Sequence, residues 1–334
     1  MTGDIAYEAG GSRPPHRMPL RDRRNESGAS ALERRRYRRT TRFAYMVLLP
    51  SLAVVGLLLL YPLAYAVVVA ISGYRFGAAT GQLVWAQNFV TIFTAPSTAP
   101  LFYQSLLTTL GFTVASVILI VVIALPIALL LNGGFRGREL VMLAILIPYA
   151  IPAPVNAVMW KWIFDPNYGV LNSVLLQLGL IKDYIAPTAN SSTALWAIVV
   201  AYVWKFLPYA VFLFFAGLSS IPSAVYEAAQ LDHAGPVRTF TRITLPLLLP
   251  VLQMVLIIQT IYALLMHFSL VWVMTNGGPG SATTTLPWLL YQESFAFGQL
   301  GVGGAMSVVF ALVMTLFVGL YLLVLRPRQR YQLV

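Results

Sequence analysis

A lysine lies in the middle of an apolar run. Lys205 stands about halfway along residues 194–218, directly after Trp204 and three residues before Pro208. A side-chain charge inside hydrocarbon costs at least about 2.5 kcal/mol on insertion scales. The ammonium must therefore line a polar cavity, find a partner or snorkel toward the headgroups. Tyr202, Phe206 and Tyr209 share one helical face by spacings of four and three, and Lys205 borders that face. Tyr149 sits between Pro148 and Pro152, and Thr260 and His267 are seven apart, hence on one side of a helix. Hydroxyls, rings and an ammonium in this pattern can donate to, accept from and stack on a polar solute. Each also has a plain structural use: tyrosines pack in helix bundles, and His267 can cap a helix end.

Other chemistries lack their residues. The chain has no cysteine, which removes disulfides, thiol nucleophiles and thiolate metal sites. His16, His233 and His267 are too scattered for a metal cluster, and no phosphate-binding G-x-x-x-x-G-K-[ST] loop occurs. No metal site, catalytic residue or cofactor is expected in this chain.

The elements that must position these residues are membrane spans. Of 334 residues 58% are hydrophobic and only 10% charged, well under the roughly 25% of a soluble domain. Apolar blocks at 43–72, 106–131, 140–164, 194–218, 245–268 and 302–325 each suit a spanning helix. Residues 1–42 are expected to form a largely disordered basic tail, ending at most in a short surface helix. Residues 326–334 form a second tail. The net charge of +11 does not point to nucleic acid, because eleven arginines crowd into residues 13–42, beside the first block. Anionic membrane lipid suits such a tail. With the N-terminus in the cytoplasm, 18 of the 22 basic residues fall inside, leaving Arg75, Lys161, Lys182 and Lys205 to the outside and the spans. Both termini are therefore placed in the cytoplasm. Prolines recur within the spans, most densely in Ile147-Pro-Tyr-Ala-Ile-Pro-Ala-Pro-Val155. Broken helices of this kind suit a transport path, or simply a kinked structural helix.

Between the fourth and fifth blocks lies Ile221-Pro-Ser-Ala-Val-Tyr-Glu-Ala-Ala-Gln-Leu-Asp-His-Ala-Gly235. Ser223 offers an N-cap. Gly235 is expected to end the helix at a sharp turn that needs a glycine, and a second short helix should lead to Pro246, where the fifth span begins. Such a helix-break-helix, joined to two spans, makes a mechanical lever. The bland alternative is an amphipathic surface helix.

Glu227, Ala228, Ala229, Asp232, Ala234, Gly235, Ile243, Leu245, Pro246 and Pro250 resemble the EAA signature of binding-protein-dependent ABC importer permeases. Met274-Thr-Asn-Gly-Gly-Pro279, Trp204-Lys205 and Pro208-Tyr209 resemble its carbohydrate-type branch, the MalF-like permeases, over about residues 43–325. The resemblance implies an all-α, six-helix permease (MetI-like) fold spanning a bacterial cytoplasmic membrane. It implies a second EAA-type permease subunit as partner, with two cytoplasmic ATPase subunits that hold ATP and Mg2+. It also implies an extracytoplasmic solute-binding protein. Residues 221–246 would couple to the ATPases through Glu227, Ala228, Ala229, Asp232, Ala234, Gly235 and Pro246. The sugar-contacting positions of maltose-type relatives would fall on Tyr149, Ala153, Tyr202, Lys205, Phe206, Tyr209, Thr260, Leu264 and His267. Ala153 and Leu264 depart from the polar residues found there.

The expected activity is import of a di- or oligosaccharide of the trehalose or maltose type, without enzymatic activity in this chain. Lys205 leaves room for glycerol phosphate or another polar solute. A secondary transporter would need midplane acids and inverted repeats, yet Asp and Glu are absent from the interior of every block.

Overall fold

The computed structural model describes the backbone of residues 23–77 and 81–324, with side chains from residue 45 to residue 321 outside that gap. The parts of the two tails at 1–22 and 326–334 lie outside the described residues. The chain divides into two units, residues 1–64 and 65–334.

The first unit contributes most of helix α1, Arg23–Ala70. The basic stretch 23–42 is thus helical and continuous with the first apolar block, where the sequence suggested an irregular tail. No proline falls between Pro19 and Pro50, and arginine, alanine, leucine and glutamate are good helix formers. From Tyr45 onward the helix exposes large apolar side chains, as a lipid-facing surface does.

The second unit is also helical. It comprises α2 (Gln87–Thr94), α3 (Ala99–Asn132), α4 (Arg138–Ala150), α5 (Ala153–Ile163), α6 (Val170–Gln177), α7 (Ala194–Ser219) and α8 (Ser223–Leu231). These are followed by α9 (Pro236–Thr239), α10 (Leu245–Leu265), α11 (Phe268–Leu270), α12 (Leu286–Tyr291) and α13 (Leu300–Val324). Among the described residues the only β pairing is one isolated bridge between Ser72 and Leu83. Short π-helical turns join α9 to α10, extend α11 and extend α12, and Pro236–Thr275 makes one candidate span with a turn at Met266 and His267. Among the described residues, five helices are long and apolar enough to cross a membrane. The third block is not a simple span. It is the pair α4 and α5, bent by 98° at Ile151 and Pro152, and counted together they form a sixth crossing.

The bend follows from the sequence. Pro152 lacks an N–H and pushes the residue before it out of helical space, and Ile151 is extended at ψ 128°. Helix α5 restarts at once because Pro152 and Pro154 suit a helix entry.

The core gathers where α3, α7 and α10 meet, with α3 and α7 packed along most of their length. Phe112, Ile120, Ala124 and Ala128 of α3 meet Ile198, Tyr202, Phe206 and Phe214 of α7 and Leu248 and Val255 of α10. Small residues allow the close approach: a Cβ on Gly217 would stand 2.7 Å from Val251 Cγ2. Buried amides fasten the crossings. Asn156 Nδ2 donates to the Ala201 carbonyl at 3.3 Å, and Gln259 Nε2 to that of Phe206 at 3.3 Å. A second cluster joins Ile92, Phe102, Leu264, Leu286, Met306 and Phe310.

Loops are pinned by side chains. Asn172 exchanges two hydrogen bonds with Ile185, at 2.8 and 3.0 Å. Asp165 accepts from the Asn167 and Tyr168 N–H groups, and the first of these chiefly holds its carboxyl below the usual range. Glu293 is buried in the π-helical turn after α12, and that burial raises its carboxyl above the usual range.

Reporter fusions test whether the bent pair crosses the bilayer. A fusion after Arg136 is expected to report cytoplasm and one near Lys182 the outside. The same side for both would make α4 and α5 a re-entrant hairpin.

Candidate functional site

Two sites stand on opposite parts of α7. The first is the segment that follows it. Pro222 occupies the cap position in extended conformation, so Ser223 is the first helical residue of α8 and makes no capping bond, contrary to its expected role. Glu227 and Ala228 are exposed, whereas Ala229 turns into the protein. The helix ends in a Schellman turn: Ala234 N–H donates to Ala229 O at 2.9 Å and His233 N–H to Gln230 O at 3.0 Å. The left-handed position of that motif is held by His233, at φ +50°.

Gly235 therefore does not make the sharp turn. Its φ of −64° and ψ of 163° are open to any residue, and a Cβ there would meet nothing within 4 Å. The sequence reading placed the strain two residues too late, because glycine is the usual signal and histidine is a rare occupant of that position. Pro246 marks the start of the fifth span, as expected: it sits in the first turn of α10, where a missing N–H costs little, and the π-helical turn Phe240–Thr244 joins that helix to the short α9. Thr244 Oγ1 donates to Tyr226 Oη at 3.4 Å, tying α8 to that turn. Asp232 and Glu227 are exposed, Ala234 is half-buried, and Leu231 and Val237 beside the turn are 82% and 75% exposed.

The second site surrounds the break between α4 and α5. Lys205 is only 8% exposed. Its Nζ donates to the carbonyl of Tyr149 at 3.3 Å and to that of Ile151. The same ammonium lies 5.9 Å from the Tyr149 ring centre and 5.7 Å from that of Phe206, within cation–π range. Snorkelling is excluded in this conformation, and the carbonyls are those at the break before Pro152 in the neighbouring helix pair. Tyr149 stacks on Tyr209 at 5.8 Å and 17°. Tyr209 meets Tyr262, Tyr262 meets Phe206, Phe206 meets Tyr202, Tyr202 meets Phe112, and Phe112 meets His267. Seven rings thus run in an unbroken file from Tyr149, which is 38% exposed, to the fully buried His267.

The other candidates divide. Ala153 is the first residue of α5, directly after the break. Thr260 is buried and donates to Tyr321 Oη of α13 at 3.2 Å, away from the file. Leu264 belongs to the second core cluster, where it is a packing residue. His267 Nδ1 lies 2.6 Å from the Ala263 carbonyl, capping the end of α10. Its Nε2 and Tyr202 Oη, with Thr113 Oγ1 and Ser116 Oγ of α3, are buried without a hydrogen-bond partner. Tyr262 and Phe112 escaped the sequence reading. Tyr262 stands about 200° around the helix from Thr260, off the side that Thr260 and His267 share.

Comparison with known proteins decides the family. Residues 120–331 match the family described as "Binding-protein-dependent transport system inner membrane component". The chain belongs to that family. It is 33% identical over 291 residues to the sn-glycerol-3-phosphate transport system permease protein UgpA of Yersinia pestis (strain Antiqua), covering 86% of this chain and 95% of the relative. It is 34% identical over 291 residues to the trehalose/maltose transport system permease protein MalF of Thermococcus litoralis, covering 87% and 96%. In fold it matches a chain of a bacterial ABC transporter involved in the import of the acidic polysaccharide alginate, with TM-score 0.74 and 22% identity, over 89% of this chain and 100% of that one. The protein is thus a membrane-embedded permease component of a binding-protein-dependent ABC importer.

The turn after α8 gives a direct test. Gly235→Ala should leave the segment as resistant to limited proteolysis as the parent. His233→Val should make it cleave faster, because a β-branched residue in left-handed space costs about 1–2 kcal/mol. The reverse order would return the turn to Gly235.

Proposed function

We propose that this permease carries a neutral di- or oligosaccharide of the trehalose or maltose type across the bacterial cytoplasmic membrane, past the aromatic wall of Tyr149, Tyr209 and Tyr262. The stacked pair Tyr149 and Tyr209 carries this reading. Sugar rings present apolar C–H faces that pack on aromatic surfaces, while hydroxyls of the same rings take hydrogen bonds. Lys205 already donates to two backbone carbonyls, so its charge is largely occupied, which favours an uncharged solute.

Both termini lie in the cytoplasm in this reading, and α8 with its turn docks on an ATPase subunit. Leu231 and Val237 support that docking, since exposed apolar residues on a short rigid helix suit a cleft in another protein. Glu227, Ala228, Asp232 and Gly235 complete the exposed surface. Two ATPase subunits bind ATP and Mg2+ and hydrolyse the nucleotide. A second EAA-type permease completes the path, and an extracytoplasmic binding protein delivers the solute. The arginines before the first span rest against anionic lipid, and nucleic acid has no part. ATP-driven approach of the ATPases would move α8, and α7 would carry that displacement to Lys205 and Tyr209.

A second reading, a phosphorylated polyol such as glycerol 3-phosphate, is favoured by the same ammonium if the bend at Ile151 opens and releases it. Uptake by the reconstituted transporter separates the two. Under the sugar reading, unlabelled trehalose or maltose competes for transport and glycerol 3-phosphate does not. Tyr209→Ala should raise the half-saturating sugar concentration about fivefold, the value of one lost stacking contact of roughly 1 kcal/mol. Tyr209→Phe should stay near the parent. Equal losses in both variants would assign Tyr209 to hydroxyl contact rather than stacking.

A further inference from the structure

We propose that Lys205 is a positioning residue: it clamps the break between α4 and α5 and thereby sets the orientation of Tyr149. A helix that ends inside a membrane leaves its last carbonyls without intrahelical donors. In α4 those belong to residues 147–150, and Pro152 supplies no N–H to the turn that follows. Lipid offers no water to replace the missing donors. What remains at the break is sparse: Ile151 N–H reaches Pro148 O at a long 3.4 Å, and Asn156 N–H reaches Pro152 O at 2.9 Å.

Lys205 supplies what is missing from a different helix. Its Nζ reaches the carbonyl of Tyr149 on one side of the bend and that of Ile151 at its corner. An ammonium has three donors and can serve both acceptors at once. Its charge also faces the C-terminal, negative end of the α4 dipole. The rings of Tyr149 and Phe206 flank the cation, so the contact that fixes the carbonyl of Tyr149 also restricts its side chain. Tyr149 is in turn stacked on Tyr209, one turn further along α7 from Lys205. One cation thus joins the corner of a 98° bend to the helix that leads into α8. Asn156 adds a second tie between the same two elements through the Ala201 carbonyl.

The clamp concerns the backbone and can be read without solute. Its consequence for uptake rests on the sugar-path reading. Hydrogen–deuterium exchange on the assembled, membrane-reconstituted transporter tests it. In Lys205→Met the amides of residues 151–156 should exchange about tenfold faster, the factor expected for losing hydrogen bonds to a charged donor. Amides of α3 at 120–128 should not change. Lys205→Arg keeps charge and donors and should stay within about threefold of the parent. Unchanged exchange at 151–156 in Lys205→Met, or a tenfold rise in Lys205→Arg, would overturn the clamp. If Lys205→Met does not assemble, the arginine variant decides alone. Faster exchange together with a raised half-saturating sugar concentration and an unaltered maximal rate supports clamp and solute wall together. Faster exchange with unchanged half-saturation upholds the clamp and removes Tyr149 from the solute path.

Discussion

Backbone carbonyls that lose their helical donors inside hydrocarbon must be satisfied by the protein itself, and this constraint organises the permease. The third apolar block breaks at Ile151 and Pro152, and a buried ammonium from α7 covers the exposed acceptors. The same solution recurs with neutral donors. Asn88 Nδ2 serves the carbonyls of Ala70 and Ser72, both at 2.8 Å, where α1 ends. Asn156 and Gln259 serve carbonyls of α7. Polar side chains from neighbouring elements thus serve the acceptors at the end of α1 and at the break after α4, and tie neighbouring helices to α7. Removing such a donor leaves an acceptor with nowhere to turn, which is more costly than the net value of the bond.

Helix α7 connects the parts. It packs along α3, receives α10 at Gly217, carries Lys205 and Tyr209 at the bend, and ends four residues before α8 begins. A displacement of α8 has a short, continuous route to the aromatic file. The file itself is polar at its buried end, where Tyr202 Oη and His267 Nε2 lack partners in this conformation. Unpaired buried polar atoms are uncommon in native cores.

Much of this was legible in the sequence. The six apolar blocks, the prolines at the bend and the helix-break-helix before the fifth span all emerged from composition, period and spacing, whereas a coupling role for that segment came only from resemblance. The Tyr202, Phe206 and Tyr209 face also emerged, because these are properties of a single helix. What depended on tertiary contact did not. Spacing showed that Lys205 needed a partner but could not reveal that the partner was the backbone of another helix. Tyr262 and Phe112 join the file only through rings on other elements, which helical spacing within one span does not show. The turn after α8 was misread for a different reason: glycine predicts left-handed backbone, and here a histidine adopts it while the nearby Gly235 does not. The candidacy of Leu264 came from resemblance alone, and its side chain packs in the second core cluster in this conformation.

The central claim is that solute movement past the aromatic wall is driven from the coupling segment by nucleotide-hydrolysing partners. Uptake of radiolabelled trehalose or maltose into proteoliposomes tests it most directly, with the permease pair, binding protein and ATPase present and ATP on the ATPase side. The account predicts accumulation that requires both ATP and the ATPase and disappears when either is omitted. Accumulation that persists without the ATPase, or that follows an imposed ion gradient instead of ATP, would contradict it.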